Sequence, residues 1–540
     1  MTFSEGLEWW IFLVGFLPII AYAEIHLTGG LWKGRLHQKA PEVIADLPWR
    51  IQWQQALPVY IFIKDAHWYP IILEEVRVEI RSPNAIHPQQ FAYHFASPVD
   101  SPLTVRYLEV PADVFVTPGR YQIHIWIRYR QGQRETIVYQ DNYRHHHKPA
   151  FFVDVDPHTL PTSTHWYWGD LHTHSAFTND AIEFGAPLEV LSQSAQALGL
   201  HYVAVTDHSY DFPNNSPHSP SDKWQAFLQE IETVNSHNTG AVLIPGEEVS
   251  VQNSKGAIVH ALVLGSKHFF PGNTDGAIRL GNGGFALPLT ELAQQVQHHQ
   301  GLLVAAHPFE VPPASQRILL RRGFWSVTDL HRFGINHWQI HNGITNRAFH
   351  LGIQHWILAL LSGQQIGILA GTDAHGNLNL NRHIAIPLLR LNYTRHQLLG
   401  QARTGVYVPE ALTPANIVNA VAHHRTIIST GPFCTLHLTG ANTNATIGET
   451  SPRGDAYHLT LIATSTPQWG TIKQLTLFWG THHSNTEHIR HIPIGTGTEY
   501  YLAVEESLPN PESIQYIRAQ LFTERETDVY FCLTNPIWFQ

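Results

Sequence analysis

The stretch 169–180, G-D-L-H-T-H-S-A-F-T-N-D, holds two histidines one residue apart. An Asp stands two residues before the first of them and another Asp six residues after the second. In an extended strand, residues i and i+2 face the same side. His172 and His174 therefore project together from one strand end, and the loop that follows can return Asp180 toward them. Neutral imidazoles converging with a carboxylate suit Zn²⁺, Mn²⁺ or Fe²⁺. With 38 histidines in 540 residues, a single H-x-H is a weak signal. Its weight depends on the elements that would position further ligands beside it.

Those elements are readable as alternating short apolar runs and helix-like stretches between about 162 and 430. The run 166–168 leads to Asp170, His172 and His174, and 202–205 leads to Asp207 and His208. The run 241–244 leads to Glu247 and Glu248, 257–265 carries His260, and 302–306 leads to His307. Finally, 337–340 leads to His341 and Asn342, and 366–370 leads to Asp373 and His375. Helices are expected at 187–198, 222–235, 289–299, 351–361 and 414–424, with Thr413-Pro414 forming an N-cap and N1 pair for the last. Near-continuous apolar strands alternating with helices predict a parallel α/β sheet. Polar residues gathered at the C-terminal ends of such strands are where parallel barrels place their chemistry.

The flanks read differently. Residues 1–40 contain the uncharged apolar run 9–23, flanked by Glu8 and Glu24. It is shorter than the roughly 20 residues of a full membrane span and lacks the positive leader of a secretory signal. Membrane association through residues 7–23, export, or a buried helix all stay open, as does the side of the membrane. From 41 to 158 the period changes to two, with strands at 58–63, 76–80 and 121–127, which predicts an immunoglobulin-like β-sandwich. His145-His146-His147 near its end reads as a solvated loop, since no carboxylate adjoins it. From 431 to 540, strands at 435–439, 457–463, 474–479, 516–522 and 528–533 predict a second β-sandwich without a catalytic cluster. Trp469 and Trp479 there read as core.

Composition narrows the function classes. A formal net charge of -10 and no basic run argue against a nucleic-acid surface. The two cysteines, Cys434 and Cys532, are too few for a thiolate zinc site, and either pair once or stay as buried thiols.

With the motifs assembled, the region 159–430 resembles the PHP family (polymerase and histidinol phosphatase). The matching pieces, in the family's order, are D-L-H-T-H-S at 170–175, T-D-H-S at 206–209, G-E-E-V-S at 246–250, A-H-P-F at 306–309 and T-D-A-H at 372–375. The β regions on either side, W-G-D-L-H-T-H-S with downstream E-F-G-A-P, and the closing S-T-G-P are similar to the CehA/McbA-like metallohydrolases. The resemblance implies a distorted (β/α)7 barrel flanked by N- and C-terminal β-sandwich domains, holding two or three divalent ions (Zn, Mn or Fe) per chain. The implied metal ligands are His172, His174, Asp180, His208, Glu248, His260, His307, Asp373 and His375. Asp170 and Asp207 would orient nearby histidines. His208 or His375 would protonate the leaving group, with Asp373 completing the catalytic set. Around the sixth strand the family often carries an acidic residue near Asn342, where this chain reads Q-I-H-N-G at 339–343.

The leading expectation is a phosphoesterase acting on a small-molecule ester through a metal-activated hydroxide. A phosphate also needs cationic partners, and Arg382 and His383, just after the last motif, are candidates, with Arg347 a weaker one. Few basic residues near the motifs and many aromatic ones favour an alternative, hydrolysis of a carbamate or carboxylic ester on the same site. An alternative of another class is a non-catalytic binding or scaffold protein.

Overall fold

The computed structural model describes residues 40–540 apart from 84–86, 144–146, 179–184, 213–220, 273–286, 313–316, 318–320, 386–389, 441–442, 454–456, 483, 496, 498 and 508–512. The apolar run 9–23, Asp180, His145 and His146 lie outside the described residues. No helix among the described residues is long and apolar enough to cross a membrane.

The N-terminal β region forms two sheets. Leu57–Lys64 lies between Glu42–Asp46 and Leu103–Val110 in a three-stranded sheet, and Gly119–Gln131 lies within a six-stranded one. Side chains of Gly119–Gln131 alternate between buried and half-buried, as the period of two demands. The apolar faces of both sheets meet in one core that includes Val43, Ile61, Val78 and Ile125.

The central strands are Trp166–His174, Tyr202–His208, Val242–Gln252, Ile258–Leu264, Leu302–Ala305, His337–Asn342 and Gly367–Gly371, side by side in chain order. The first three pair in parallel, as do the last three. The middle departs from that pattern. Val242–Gln252 and Ile258–Leu264 form an antiparallel hairpin, and Ile258–Leu264 also runs antiparallel to Leu302–Ala305. The reversal is local chemistry: Asn253 Oδ1 accepts from the backbone N–H of Lys255 and Ala257, both at 3.0 Å, and Gly256 takes φ +75°. No crossover helix is needed there.

The expected (β/α)7 barrel with separate flanking sandwiches is therefore corrected. Strand makes up 48% and helix 17% of the structure, with six α-helices among the described residues. That is too few to return the chain after each of seven parallel strands. Moreover, Trp166–His174 continues antiparallel into Arg403–Tyr407, which pairs with Thr426–Ser429, then Asp528–Thr534, then Ile514–Arg525. The central strands and part of the C-terminal ones thus belong to one mixed sixteen-stranded sheet, while Phe433–Gly440, Thr443–Thr446, Tyr457–Thr464 and Tyr501–Ser507 form a separate four-stranded sheet. Helices occur at Leu188–Leu198, Ser221–His237, Leu289–His298, Arg347–Leu361 and Pro414–Ala422, with a short one at Val327–Arg332 that the sequence reading had not placed. Thr413 Oγ1 accepts from Asn416 N–H at 3.2 Å, capping the last as its sequence position suggested. Cys434 and Cys532 are both free and buried.

Arg382 ties the central strands to the N-terminal β region. Its Nε lies 3.2 Å from Asp141 Oδ2 and its Nη1 3.4 Å from Asp46 Oδ2, while Nη2 donates to the Ala45 carbonyl at 2.9 Å. All three side chains are buried. Removing the cation leaves two buried carboxylates short of a partner, so Arg382→Met is expected to cost about 3–5 kcal/mol. Urea unfolding measures this, and an unchanged midpoint would contradict the assigned role.

Two buried histidines predict a stability slope with pH. Burial pushes His337 down to about 4 and His341 down to about 3. Both stay neutral in the folded chain, while in the unfolded chain they bind protons below about 6.5. Stability is then lost as pH falls from about 6.5 toward 4, on the order of 2 kcal/mol per histidine by pH 5. The urea midpoint should fall between pH 7 and pH 5, and fall less in His341→Leu.

Candidate metal centre

The centre is closed by backbone pairing between distant segments. Ala374–His375 pairs in parallel with Thr173–His174, and Asp373 N–H donates to the His172 carbonyl at 2.8 Å. This brings the end of the seventh central strand onto the end of the first. The approach is close: a Cβ on Gly371 would come within 2.6 Å of His172 Cβ, which only glycine avoids. Asp373 and His307 both adopt left-handed backbone, with φ +56° and +30°. Non-glycine residues held there cost about 1–3 kcal/mol each, and such strain collects at functional sites.

The side chains gather around Glu248. Its Oε2 lies 3.3 Å from His172 Nε2, 3.4 Å from His174 Nε2 and 3.1 Å from His208 Nδ1. Its Oε1 lies 2.5 Å from His260 Nδ1 and 3.3 Å from His307 Nε2. Asp373 Oδ1 stands 3.1 Å from His174 Nε2 and 3.4 Å from His172 Nε2. The His375 ring stacks on His174 with centres 4.0 Å apart. Of the nine expected ligands, eight come together in this cluster; Asp180 is the one outside the described residues. Strand alternation separates Glu248 from its neighbour. Glu247 accepts from Phe270 N–H at 3.0 Å instead, and burial holds its carboxyl well above the usual range.

Charge balance in the cluster is unusual. Glu248 and Asp373 share one buried pocket, where burial alone would favour their protonated forms. The surrounding histidines outweigh burial and hold both carboxyls below the ordinary range. His172 is pushed up to about 9, because Asp373 and Glu248 overcome its own burial. His174 goes down instead, through burial and the neighbouring His375 and His208. A buried site that keeps two carboxylates ionised among this many imidazoles is built for positive charge. The side chains of Asp373 and His307 are 13% and 14% exposed, whereas His172 and His174 are fully buried, so the cluster opens on the Asp373–His307 side.

Asp170 and Asp207 act on the backbone that carries the histidines. Asp170 Oδ1 accepts from the backbone N–H of His172 at 3.2 Å and of Thr372 at 2.9 Å, and Oδ2 accepts from Gly400 N–H at 3.0 Å. Asp207 Oδ1 accepts from Ser175 N–H at 2.7 Å and Thr178 N–H at 3.0 Å. Both brace the turns that carry the histidines rather than the rings. Ring orientation falls to residues absent from the expected set. Gln339 Oε1 accepts from His172 Nδ1 at 2.9 Å, which fixes the ring with Nε2 facing the carboxylates. Gln339 Nε2 donates to Asn342 Oδ1 at 2.9 Å, and Asn342 Nδ2 reaches Asp373 Oδ2 at 3.4 Å. The departure at 339–343 was the available signal: two amides in a strand that is otherwise buried. Thr178 sits 3.3 Å from His174 Nδ1, and Tyr210 stacks on His208 with centres 4.8 Å apart. Glu310 is raised by burial next to His307.

Of the expected substrate cations, Arg382 points elsewhere. Arg382 is committed to Asp46 and Asp141. His383 lies in Asn381–Ala385, which pairs with Arg390–Thr394, and its side chain is outside the described residues. Arg347 opens the helix Arg347–Leu361. Another arginine does reach the cluster: Arg322 Nη1 contacts His260 Nε2, although nothing near it in sequence marked it.

No family model and no curated protein matches the chain. Among solved structures it is similar to a late embryogenesis abundant protein, at TM-score 0.18 and 11% identity over 28% of this chain and 88% of that one. A β-glucosidase from Listeria innocua in complex with glucose gives TM-score 0.11 and 13% identity over 19% of this chain and 16% of that one. A cycloisomaltooligosaccharide glucanotransferase from Paenibacillus sp. gives TM-score 0.17 and 8% identity over 93% and 71%. Scores this low carry no argument about fold or chemistry.

Since Gln339 holds His172 Nδ1, Gln339→Leu is expected to weaken divalent-metal binding by about 10- to 100-fold while the chain stays folded. Calorimetric titration with Zn²⁺ or Mn²⁺ measures it, and wild-type affinity in the variant would remove Gln339 from the centre.

Proposed function

We propose that the chain is a metal-dependent hydrolase that cleaves a phosphate ester. The observation that carries this reading is the sharing of donors. His172, His174, Glu248 and Asp373 form one group whose ligand atoms lie within 4.8 Å of one another. His174, His208 and His375 form a second, and His208, Glu248 and His260 a third. The groups overlap at His174, His208 and Glu248, which fits two or three ions in contact rather than one isolated ion. Imidazole nitrogens mixed with carboxylate oxygens suit Zn²⁺, Mn²⁺ or Fe²⁺. Such ions, when bound, supply Lewis-acid polarisation of an ester oxygen and acidify water.

The chain's own residues supply the rest. Glu248 and Asp373 set the negative charge that holds the cations. The Asp373 carbonyl, 3.0 Å from His375 Nδ1, fixes that ring's proton on Nδ1 and turns its lone pair to Nε2. Arg322, beside His260, would receive the anionic oxygens of a phosphate. This cation favours a phosphate over the neutral carbonyl of a carbamate. Proton delivery to the departing oxygen falls to His208 or His375, and the pH profiles of His208→Asn and His375→Asn separate the two.

The test is elemental analysis of purified protein beside hydrolysis of p-nitrophenyl phosphate, bis-p-nitrophenyl phosphate and a naphthyl carbamate. Two or three metals per chain and turnover of a phosphate ester are expected, with activity lost in His172→Ala and Asp373→Asn. Arg322→Met should lower kcat/KM on the phosphate by about 10- to 100-fold with metal content kept. Turnover of the carbamate alone, untouched by Arg322→Met, would transfer the assignment to that bond. Failure to take up metal after reconstitution would remove it.

A further inference from the structure

Away from the metal centre, two arginines are buried where three parts of the chain meet, and no carboxylate contacts either among the described residues. Arg50, on the N-terminal strand Arg50–Gln52, is 1% exposed. Its Nε donates to Gln468 Oε1 at 2.8 Å, Nη1 to the Leu198 carbonyl at 3.2 Å and Nη2 to the His158 carbonyl at 2.6 Å. All three partners are neutral. Arg403, which opens the strand Arg403–Tyr407, is also 1% exposed, and its Nε and Nη2 have no hydrogen-bond partner. Its guanidinium lies 4.7 Å from the Trp469 ring centre and 5.6 Å from that of Trp168.

Further unpartnered donors lie on the turn that carries Trp469. Trp469 Nε1 and Thr466 Oγ1 are buried without a hydrogen-bond partner, and the two residues form one turn, closed by Trp469 N–H to the Thr466 carbonyl at 2.9 Å. Arginine stays protonated in proteins. The faces of two indoles recover only part of what burying a guanidinium costs. Arg50 adds a like charge nearby, and with burial this lowers Arg403 to about 9. The titratable group on the facing strand is the Cys532 thiol, whose Sγ accepts from Cys434 N–H at 3.3 Å. A buried cation, an indole N–H and a hydroxyl thus lack an acceptor among the described residues, and the cation lies against the indole that carries the N–H.

We propose that Arg403, Trp469 and Thr466 bind a small inorganic anion of the halide class, chloride, which neutralises the paired guanidinia and holds the N-terminal, central and C-terminal strands together. The site is separate from the metal centre, and its occupant is structural rather than a substrate.

Two measurements on the full chain test it. In thermal unfolding at fixed pH and ionic strength, replacing gluconate stepwise by chloride should raise Tm by about 1–2 °C over a hundred-fold increase in chloride. Arg403→Met should abolish that response. Because this variant could fail to fold, crystals of the unmodified protein soaked in bromide provide the deciding result: an anomalous peak beside Arg403 Nε and Nη2. An empty anomalous map there overturns the proposal whatever the melting curves do, and so does equal Tm of the unmodified protein in chloride and gluconate.

Discussion

Two ionised carboxylates, Glu248 and Asp373, placed in one buried pocket constrain everything around them. Like charges out of water repel strongly, and their desolvation is unfavourable unless positive charge stands alongside. Six histidines, on or just after five strands, converge to meet that demand. The left-handed backbone of His307 and Asp373 and the side-chain-free approach of Gly371 follow from the same need. Two of the buried aspartates nearby serve it indirectly. Asp170 and Asp207 receive backbone N–H groups, so the turns carrying His172, His174 and Asp373 are fixed before any ion binds. A site that is preorganised in this way needs little rearrangement to accept cations.

The same electrostatic logic recurs at the contacts between regions, with different solutions. Arg382 is matched by two aspartates of the N-terminal β region, so its charge is balanced within the protein. Glu487 likewise matches buried Arg518 at the C-terminal end. Among the described residues Arg50 and Arg403 contact no carboxylate, which is what sets their junction apart, although Asp156 and Asp154 act on Arg50 through space. Buried ion pairs contribute little net stability compared with apolar packing, but they are costly to break. They therefore fix how the β regions sit against the central strands more than they add to overall stability.

Much of the site was legible in the sequence because metal ligation needs particular side chains at strand ends, and those types stand out against apolar runs. Strand ends brought forward His172, His174, His208, Glu248, His260, His307, Asp373 and His375 together with Asp170, Asp207, Glu247, His341 and Asn342, and the family resemblance selected the eight among them. Arg382 misled, since proximity to a motif along the chain says nothing of direction. The strand Asn381–Ala385 leads away from the cluster, and its arginine faces the N-terminal region. Gln339 and Arg322 went unassigned for the opposite reason. One is a neutral amide and the other lies far from any motif, so only proximity in space reveals either.

What the sequence determined by itself was local: the period of two in the flanking regions, the apolar runs with ligands at their ends, the N-cap at Thr413, and the ligand types. These depend on neighbouring residues, and short-range periodicity reports them directly. Tertiary structure alone decided the pairing partners. The antiparallel turn at 253–256, the continuation of Trp166–His174 into the C-terminal strands, and the return of Ala374–His375 to Thr173–His174 rest on hydrogen bonds between residues far apart in the chain. Backbone N–H and C=O groups are the same in every residue but proline, so the sequence pattern marks a strand without naming its neighbour. That is why strand ends could be read as a site while the expected barrel had to give way to one mixed sheet.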